Sequence, residues 1–396
     1  MTDLVTRVAP ARSGALRRAA PALLGYAAVR ALGLLALALW SEARDKDAYT
    51  LLTARWDALW YTRVAELGYG YEVHMPNGDV HSNLAFFPLL PWLERLVAAV
   101  SPLSYADGGF TVSLLASFAA AWGIFAVAEH VYGRRVGVCA VLLWAVLPVG
   151  IVQSMAYSES LFTALAAWSL YAVLTGRWVT AGGLALLAGL TRPVGLAVVA
   201  AVWAAGIASF VRNRGASEAQ GADDATRAPG VPVRRVLGML LAPLGAAGYV
   251  LWVGHRTGKG PLGYLDVQAG WRNGFDGGYA FARFVAEKFT SFPAVLAGVG
   301  LLVGVGLVVW LYVVCVRQRQ PLPLLVYAGV VTALALCASS YFGSKPRLLL
   351  PAFPLLLPLA QSLAGLRTRR SALLVGAVAV ASATYGAFWL NGSGPP

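Results

Sequence analysis

Apolar residues fall in runs of about twenty along this chain, separated by short polar segments. Each run is long enough for a helix to cross the roughly 30 Å hydrocarbon core of a bilayer. The runs that fit are Pro21 to Trp40, Phe110 to Glu129, Gly137 to Ser154, Ser158 to Leu174, Val236 to Val253, Ser291 to Val316, Leu322 to Ser340, Leu348 to Ala364 and Ala372 to Leu390. The stretch from Val179 to Phe210 is interrupted by "LTRPVG". It predicts two short helices meeting at Thr191 to Pro193, because a proline disfavours helix at the residue before it. The pattern therefore predicts an all-α polytopic membrane protein with about eleven spans, forming a single domain over residues 1–396.

Composition agrees: the 396 residues are 58% hydrophobic and 12% charged, with a mean hydropathy of +0.66. The first apolar run lacks a small-residue cleavage site behind it and reads as an anchor, not a removable signal peptide. Cys139, Cys315 and Cys337 lie in or at the end of apolar runs without CxxC spacing, so neither a disulfide framework nor a thiolate metal site is expected.

The net charge of +13 is a topology signal. Lys and Arg are enriched in cytoplasmic loops, and Arg7, Arg12, Arg17 and Arg18 precede the first run, which places the N terminus in the cytoplasm. Alternating from there, the inner segments hold 17 bases and 5 acids, whereas the outer segments hold 13 of each. The basic excess is therefore accounted for without nucleic acid. This count requires that Asn83 to Leu103 not cross; Pro88, Pro91, Glu94 and Arg95 make it an interfacial or re-entrant helix on the outer side. Two sizeable outer segments follow, residues 41–109 and 254–290, with one inner loop, 212–235, that reads as a flexible connection.

Polar chemistry gathers on the outer side. "RWDALWYTRVAELGYGYE", Arg55 to Glu72, carries three acids and five aromatic residues, among them Asp57 and Glu66. "MAYSESLF" puts Glu159 at an outer mouth, "LTRP" puts Arg192 at the outer junction of the two short helices, and "GSKPRLLLPAFP" puts Lys345 and Arg347 at an outer turn. Ionisable groups next to spans are functional candidates by default. Each also has a plain reading: Asp57 as a solvated loop acid, Glu159 as a helix-start acid, and the three cations as headgroup anchors. Arg30, inside the first span, is expected to pair internally or to snorkel inward. "GHRTGKG" lacks phosphate-loop spacing, His74 and His81 have no helical metal-site spacing, and "NGS" at Asn391 hugs the last span.

Taken in order, "RWDALWYTRVAELGY", "AFFPLLPWLERL", "MAYSESLFTALAAWSLYAVL", "LTRPVG", "GPLGYLDVQAGW" and "PRLLLPAFPLLLPLA" resemble the PIG-V-like mannosyltransferases, integral-membrane glycosyltransferases of the GT-C class. The resemblance implies a GT-C-like helical bundle with outer-face interfacial helices. It implies transfer of a sugar, mannose in that family, from a polyprenyl phosphate donor to a lipid- or glycan-linked acceptor at the outer face of the plasma membrane, with Asp57 as catalytic base. Where the family commonly shows "RSNG", this chain has "TRPVG", so Arg192 carries over without its neighbours, and the eukaryotic acceptor does not carry over.

The residues fit such chemistry. A departing phosphate needs cations, which Arg192, Lys345 and Arg347 supply, and a carboxylate opposite the leaving group gives inversion. Trp56, Trp60, Tyr61, Glu66, Glu159, Gln268, Trp271 and Arg272 complete the candidate substrate-binding set, the aromatic rings as flat faces for sugar or prenyl groups. The expected partners are the polyprenyl phosphate sugar, the acceptor and membrane lipids. No cofactor is expected, and a divalent metal stays open. The rivals are the same chemistry with lipid-linked glucose, arabinose or aminoarabinose, and a lipid or glycan transporter; the latter calls for internal repeats, of which the sequence displays none, and for ionisable groups near the midplane of several helices, of which Arg30 is the only clear one.

Overall fold

The computed structural model describes residues 12–219, 233–392 and 394. In chain order the elements are α1 (Arg12–Glu42), α2 (Ala48–Thr53), α3 (Asp57–Leu67), β1 (Glu72–His74), β2 (Val80–Ser82), α4 (Leu89–Val100), α5 (Tyr105–Tyr132), α6 (Arg134–Ala145), α7 (Ser158–Leu174), α8 (Trp178–Gly189), α9 (Leu196–Ala219), α10 (Val233–Leu241), α11 (Leu244–Arg256), α12 (Gly263–Gly270), β3 (Gly274–Phe275), α13 (Tyr279–Glu287), α14 (Ala294–Arg317), α15 (Leu322–Cys337), β4 (Ala338–Ser339), α16 (Lys345–Leu348), α17 (Leu357–Gly365) and α18 (Thr368–Leu390). The protein is thus a mostly helical, multi-pass membrane protein. Among the described residues six helices are long and apolar enough to span, or seven if a bent pair counts as one span, and α7, α8 and α15 are shorter apolar helices.

α5 lies at the centre, packed on α1, α6 and α7. Its buried Ala120, Ala121 and Ala128 meet a bundle in which Ala166 and Ala167 of α7 are equally buried. Small residues let helices approach closely where no water drives association. α14 is the opposite case: Leu296, Leu302, Val303 and Trp310 are exposed, as on a helix that faces lipid.

Three predicted segments take a different form. The run Gly137 to Ser154 is not one helix: α6 stops at Ala145, and a 3-10 turn covers Gly150–Ser154. Pro148 has no N–H to continue the helix. The buried Arg30 of α1 donates to the carbonyl of Ala145, which the end of α6 leaves unpaired, and to that of Gly150 in the 3-10 turn. Arg30 therefore pairs internally. The run Leu348 to Ala364 is also broken, by a 74° bend between Phe342–Leu348 and Phe353–Gly365, with Pro351 and Pro354 in the gap and just past it. The inner loop is shorter than 212–235, since α9 reaches Ala219 and α10 begins at Val233; residues 220–232, which carry the rest of that expectation, lie outside the described residues.

The segment predicted not to cross folds as α4, twelve residues long and so about 18 Å. Trp92, Leu96 and Val100 are exposed along it. Glu94, expected at an interface, turns inward instead. It is 1% exposed, packs against Gly109 of α5, where a Cβ would sit 2.5 Å from its Oε1, and neither carboxyl oxygen has a hydrogen-bond partner among the described residues. Burial raises its pKa well above the ordinary carboxyl range. A raised folded-state pKa means that the folded state holds a proton the unfolded state has lost, so this group makes stability fall as pH rises above about 4.3. Glu94→Gln is expected to remove that slope. Thermal midpoints in detergent between pH 5 and pH 9 should decline for the wild type more steeply than for the variant, and parallel curves would mean that Glu94 stays ionised in the fold.

Candidate active site

The segment 41–109 is held by aromatic packing and by carbonyls. β1 and β2 pair antiparallel with Val73 opposite His81. Tyr69 and Tyr249 both donate to the Phe86 carbonyl, each at 2.8 Å, which ties the loop to α11. β3 joins β4 with Gly274 opposite Ser339, which fixes the segment 254–290 to the end of α15. The site between them is therefore built on anchored loops.

Asp57 opens α3. The residue before it, Trp56, has φ +50°, a backbone region that costs a residue with a side chain about 1–3 kcal/mol and clusters at functional sites. The Arg55 guanidinium lies 3.9 Å from the Trp56 ring centre and donates to the Leu390 carbonyl at 3.1 Å, so the strained turn is clamped from outside. Glu159 sits in the first turn of α7. Arg192 is extended, with φ −159°, as Pro193 dictates for its neighbour, and its side chain is thereby carried off the helix axis. Arg347 belongs to the short α16, whose following turn is pinned by bonds from Trp144 Nε1 to the Leu350 carbonyl and from the Tyr327 hydroxyl to the Pro351 carbonyl, both 3.0 Å.

These four residues meet. Arg347 Nη1 is 2.8 Å from Asp57 Oδ2, and Arg347 Nε is 3.2 Å from Glu159 Oε1. Arg192 Nη1 is 2.5 Å from the same Glu159 oxygen and donates to Ser158 Oγ at 3.1 Å. The Tyr61 hydroxyl is 2.7 Å from that Ser158 oxygen. Side-chain exposure is 1% for Glu159, 9% for Arg347 and 13% for Arg192, against 25% for Asp57. A buried carboxylate persists only when paired, and Glu159 has two guanidinium partners. Asp57 is the acid that faces outward. The cluster is electrically neutral, two acids against two arginines, and the Arg347 guanidinium also lies 5.1 Å from the Tyr157 ring centre.

Beside it stands an aromatic wall. Trp60 stacks on Phe86 with centroids 5.6 Å apart and meets the Trp271 ring edge-on at 4.8 Å. Trp271 in turn stacks on His81 at 4.2 Å and donates to the Ser82 carbonyl at 3.0 Å.

The other predicted site residues form no ion pair or hydrogen bond with the cluster among the described residues. The Lys345 ammonium donates to the carbonyls of Ala335 at 2.8 Å and Ala338 at 2.7 Å and lies over the Phe281 ring; it closes the end of α15. Glu66 is exposed on α3. Arg272 pairs with Asp79 at 2.6 Å on the surface, and Gln268 bonds to the Tyr264 hydroxyl and to Asn273. Sequence reasoning missed Ser158 and Tyr157. Both lie within two residues of Glu159 in "AYSES", and that proximity was their only signal.

Comparison with known proteins gives one sequence-level match: a family model described as Mannosyltransferase (PIG-V) matches residues 38–213. That stretch includes Asp57, Glu159 and Arg192, and the resemblance carried by the sequence motifs is thus shown there; Arg347 lies beyond it. No curated protein matches. Among solved structures, ArnT from Cupriavidus metallidurans bound to undecaprenyl phosphate has 14% identity and a TM-score of 0.49, with 93% of this chain and 64% of that one covered. The oligosaccharyltransferase AglB from Archaeoglobus fulgidus, in complex with an inhibitory peptide and a dolichol-phosphate, has 12% identity and a TM-score of 0.45, covering 94% and 56%. The chain therefore spans less than two thirds of the length of either.

Proposed function

We propose that this chain, similar to the PIG-V mannosyltransferases over residues 38–213, transfers a hexose, mannose by that likeness, from a polyprenyl phosphate to a hydroxyl of a lipid- or glycan-linked acceptor, with inversion. The observation that carries the proposal is the Asp57–Arg347–Glu159–Arg192 cluster, in which one acid faces outward and two guanidinium groups are held behind it. In the reaction the acceptor hydroxyl gives its proton to Asp57 and its oxygen bonds to the anomeric carbon. The bond from that carbon to the phosphate oxygen breaks, and its electron pair leaves with the polyprenyl phosphate. Arg192 and Arg347 take up the charge on that oxygen through charge-assisted bonds. Glu159 keeps the two guanidinium groups aligned, and Trp60 and Trp271 offer faces for the sugar. Lys345 serves to close α15 and leaves the phosphate to the two arginines.

The test is transfer from short-chain polyprenyl phosphates bearing mannose, glucose or arabinose, using the purified chain in detergent and membrane lipids as acceptors. Mannose is expected to be preferred. Transfer of another sugar alone would change the donor, and transfer of none would overturn the proposal.

The site is proposed to face the outside of the plasma membrane, with the N terminus in the cytoplasm, because the basic excess lies on the other side of the span list. Cysteines placed at the exposed Met75 and Tyr279 are expected to react with an impermeant maleimide in intact cells, and one at the exposed Gln318 should react only after permeabilisation, all in a Cys337→Ser background. The reverse pattern would put the site in the cytoplasm.

A further inference from the structure

A second cation stands at the far end of α8, away from the site. α8 begins at Trp178 and ends at Gly189, three residues before Arg192, so groups at Trp178 lie at the opposite end of that helix from the ion cluster. There the buried Arg235 of α10 places its guanidinium carbon 5.3 Å from the Trp178 ring centre. Its Nε and Nη1 are buried and have no hydrogen-bond acceptor among the described residues. The guanidinium cannot swing away with its helix, because α8 and α10 cross in backbone contact: a Cβ at Gly182 would sit 2.2 Å from the Gly238 carbonyl oxygen, and one at Gly238 would sit 2.3 Å from that of Trp178.

Two buried guanidinium nitrogens without an acceptor are unfavourable, and an arginine fork suits a phosphate. The neighbours set the class of ligand. Arg177 and Arg234 adjoin Trp178 and Arg235 in sequence and are exposed, and among the described residues neither they nor Arg235 forms an ion pair. The surroundings are thus positive. Val233, Val236, Leu237 and Leu240 of α10 and Val179 of α8 are exposed apolar residues, which suit acyl chains and not water. We infer that Arg235, seated on Trp178 and flanked by Arg177 and Arg234, holds the phosphodiester headgroup of one anionic phospholipid on the membrane face opposite the ion cluster.

The test uses the full chain, delipidated in detergent and given back phosphatidylglycerol, phosphatidylcholine or inorganic phosphate, with bound lipid read by native mass spectrometry. One phosphatidylglycerol is expected to be retained, and Arg235→Gln should weaken its apparent affinity about tenfold or more, as the loss of a charge-assisted bond implies. Arg317→Gln, an exposed base on α14, should change nothing. Equal retention by wild type and Arg235→Gln overturns the site. Phosphatidylcholine binding as well as phosphatidylglycerol overturns the anionic class, and inorganic phosphate competing at the lipid's concentration overturns the lipid source. Should Arg235→Gln fail to fold, the wild type alone decides: its thermal midpoint is expected to rise with phosphatidylglycerol and not with the other two, and no rise overturns the proposal.

Discussion

Asp57→Asn is expected to lower sugar transfer about a hundredfold or more while making the donor bind more tightly. The first effect follows from loss of the base, since general-base contributions run from about a hundredfold upward. The second follows from the cluster. Arg347 Nη1 lies 2.8 Å from Asp57 Oδ2, so under the proposed mechanism the carboxylate competes with the donor phosphate for the same guanidinium. An amide of the same shape withdraws that competition and leaves a cluster with one acid against two arginines. For an ion pair whose acid is a quarter exposed, the gain is about 1 kcal/mol, or about fivefold in affinity. Donor binding measured by fluorescence alongside radiolabelled transfer separates the two effects. Donor affinity falling together with rate would show that Asp57 contacts the donor directly, and a rate above about a tenth of wild type would take the base away from Asp57.

Under the proposed mechanism the same geometry would impose an order. Arg347 is engaged by Asp57 and Glu159 together, and a phosphate that drew Arg347 toward itself would free Asp57 to accept a proton, so the base would become available after the donor binds. Glu159 does not take part in that exchange, because at 1% exposure it is held by Arg192 as well.

How much of this was legible in the sequence depended on what each residue signals locally. The spans read well where apolar runs were continuous, as in α1, α5, α14 and α18. They failed at Gly137 to Ser154 and Leu348 to Ala364, where prolines divide runs of suitable hydropathy and carbonyls are satisfied by distant groups such as Arg30. Asp57, Glu159, Arg192 and Arg347 could be nominated one at a time, because each is a charge at the same end of a span. Their mutual contact could not, since residues 57, 159, 192 and 347 share no spacing rule and converge only through the packing of α3, α7, the α8–α9 junction and the bent turn at α16. Lys345 shows the converse. Two residues from Arg347 and identical in its sequence signal, it points to the carbonyls that end α15, and only the register of a four-residue helix separates the two fates.

Arg347→Gln is expected to be the more damaging of the two arginine replacements, both in donor binding and in turnover. Arg192 meets one carboxylate, whereas Arg347 meets two through different nitrogens, Nη1 to Asp57 and Nε to Glu159. A charge-assisted bond to a phosphate is worth about 1.5–3 kcal/mol, so Arg347→Gln should weaken donor binding at least about tenfold. Arg347→Lys should recover only part, because a single ammonium cannot bridge two carboxylates with the fixed fork of a guanidinium. Coupling gives the sharper readout. If Asp57 and the donor phosphate compete for Arg347, the gain in donor affinity from Asp57→Asn must vanish once Arg347 is already Gln, so the double variant should bind donor as Arg347→Gln alone does. An interaction energy near zero, with Asp57→Asn tightening binding equally in both backgrounds, would show that the two residues act on the donor independently and that the 2.8 Å pair is structural. A fluorescence-detected sizing profile for each variant distinguishes lost binding from lost fold, since Arg347 is buried over Tyr157 and its removal also leaves Glu159 with a single partner.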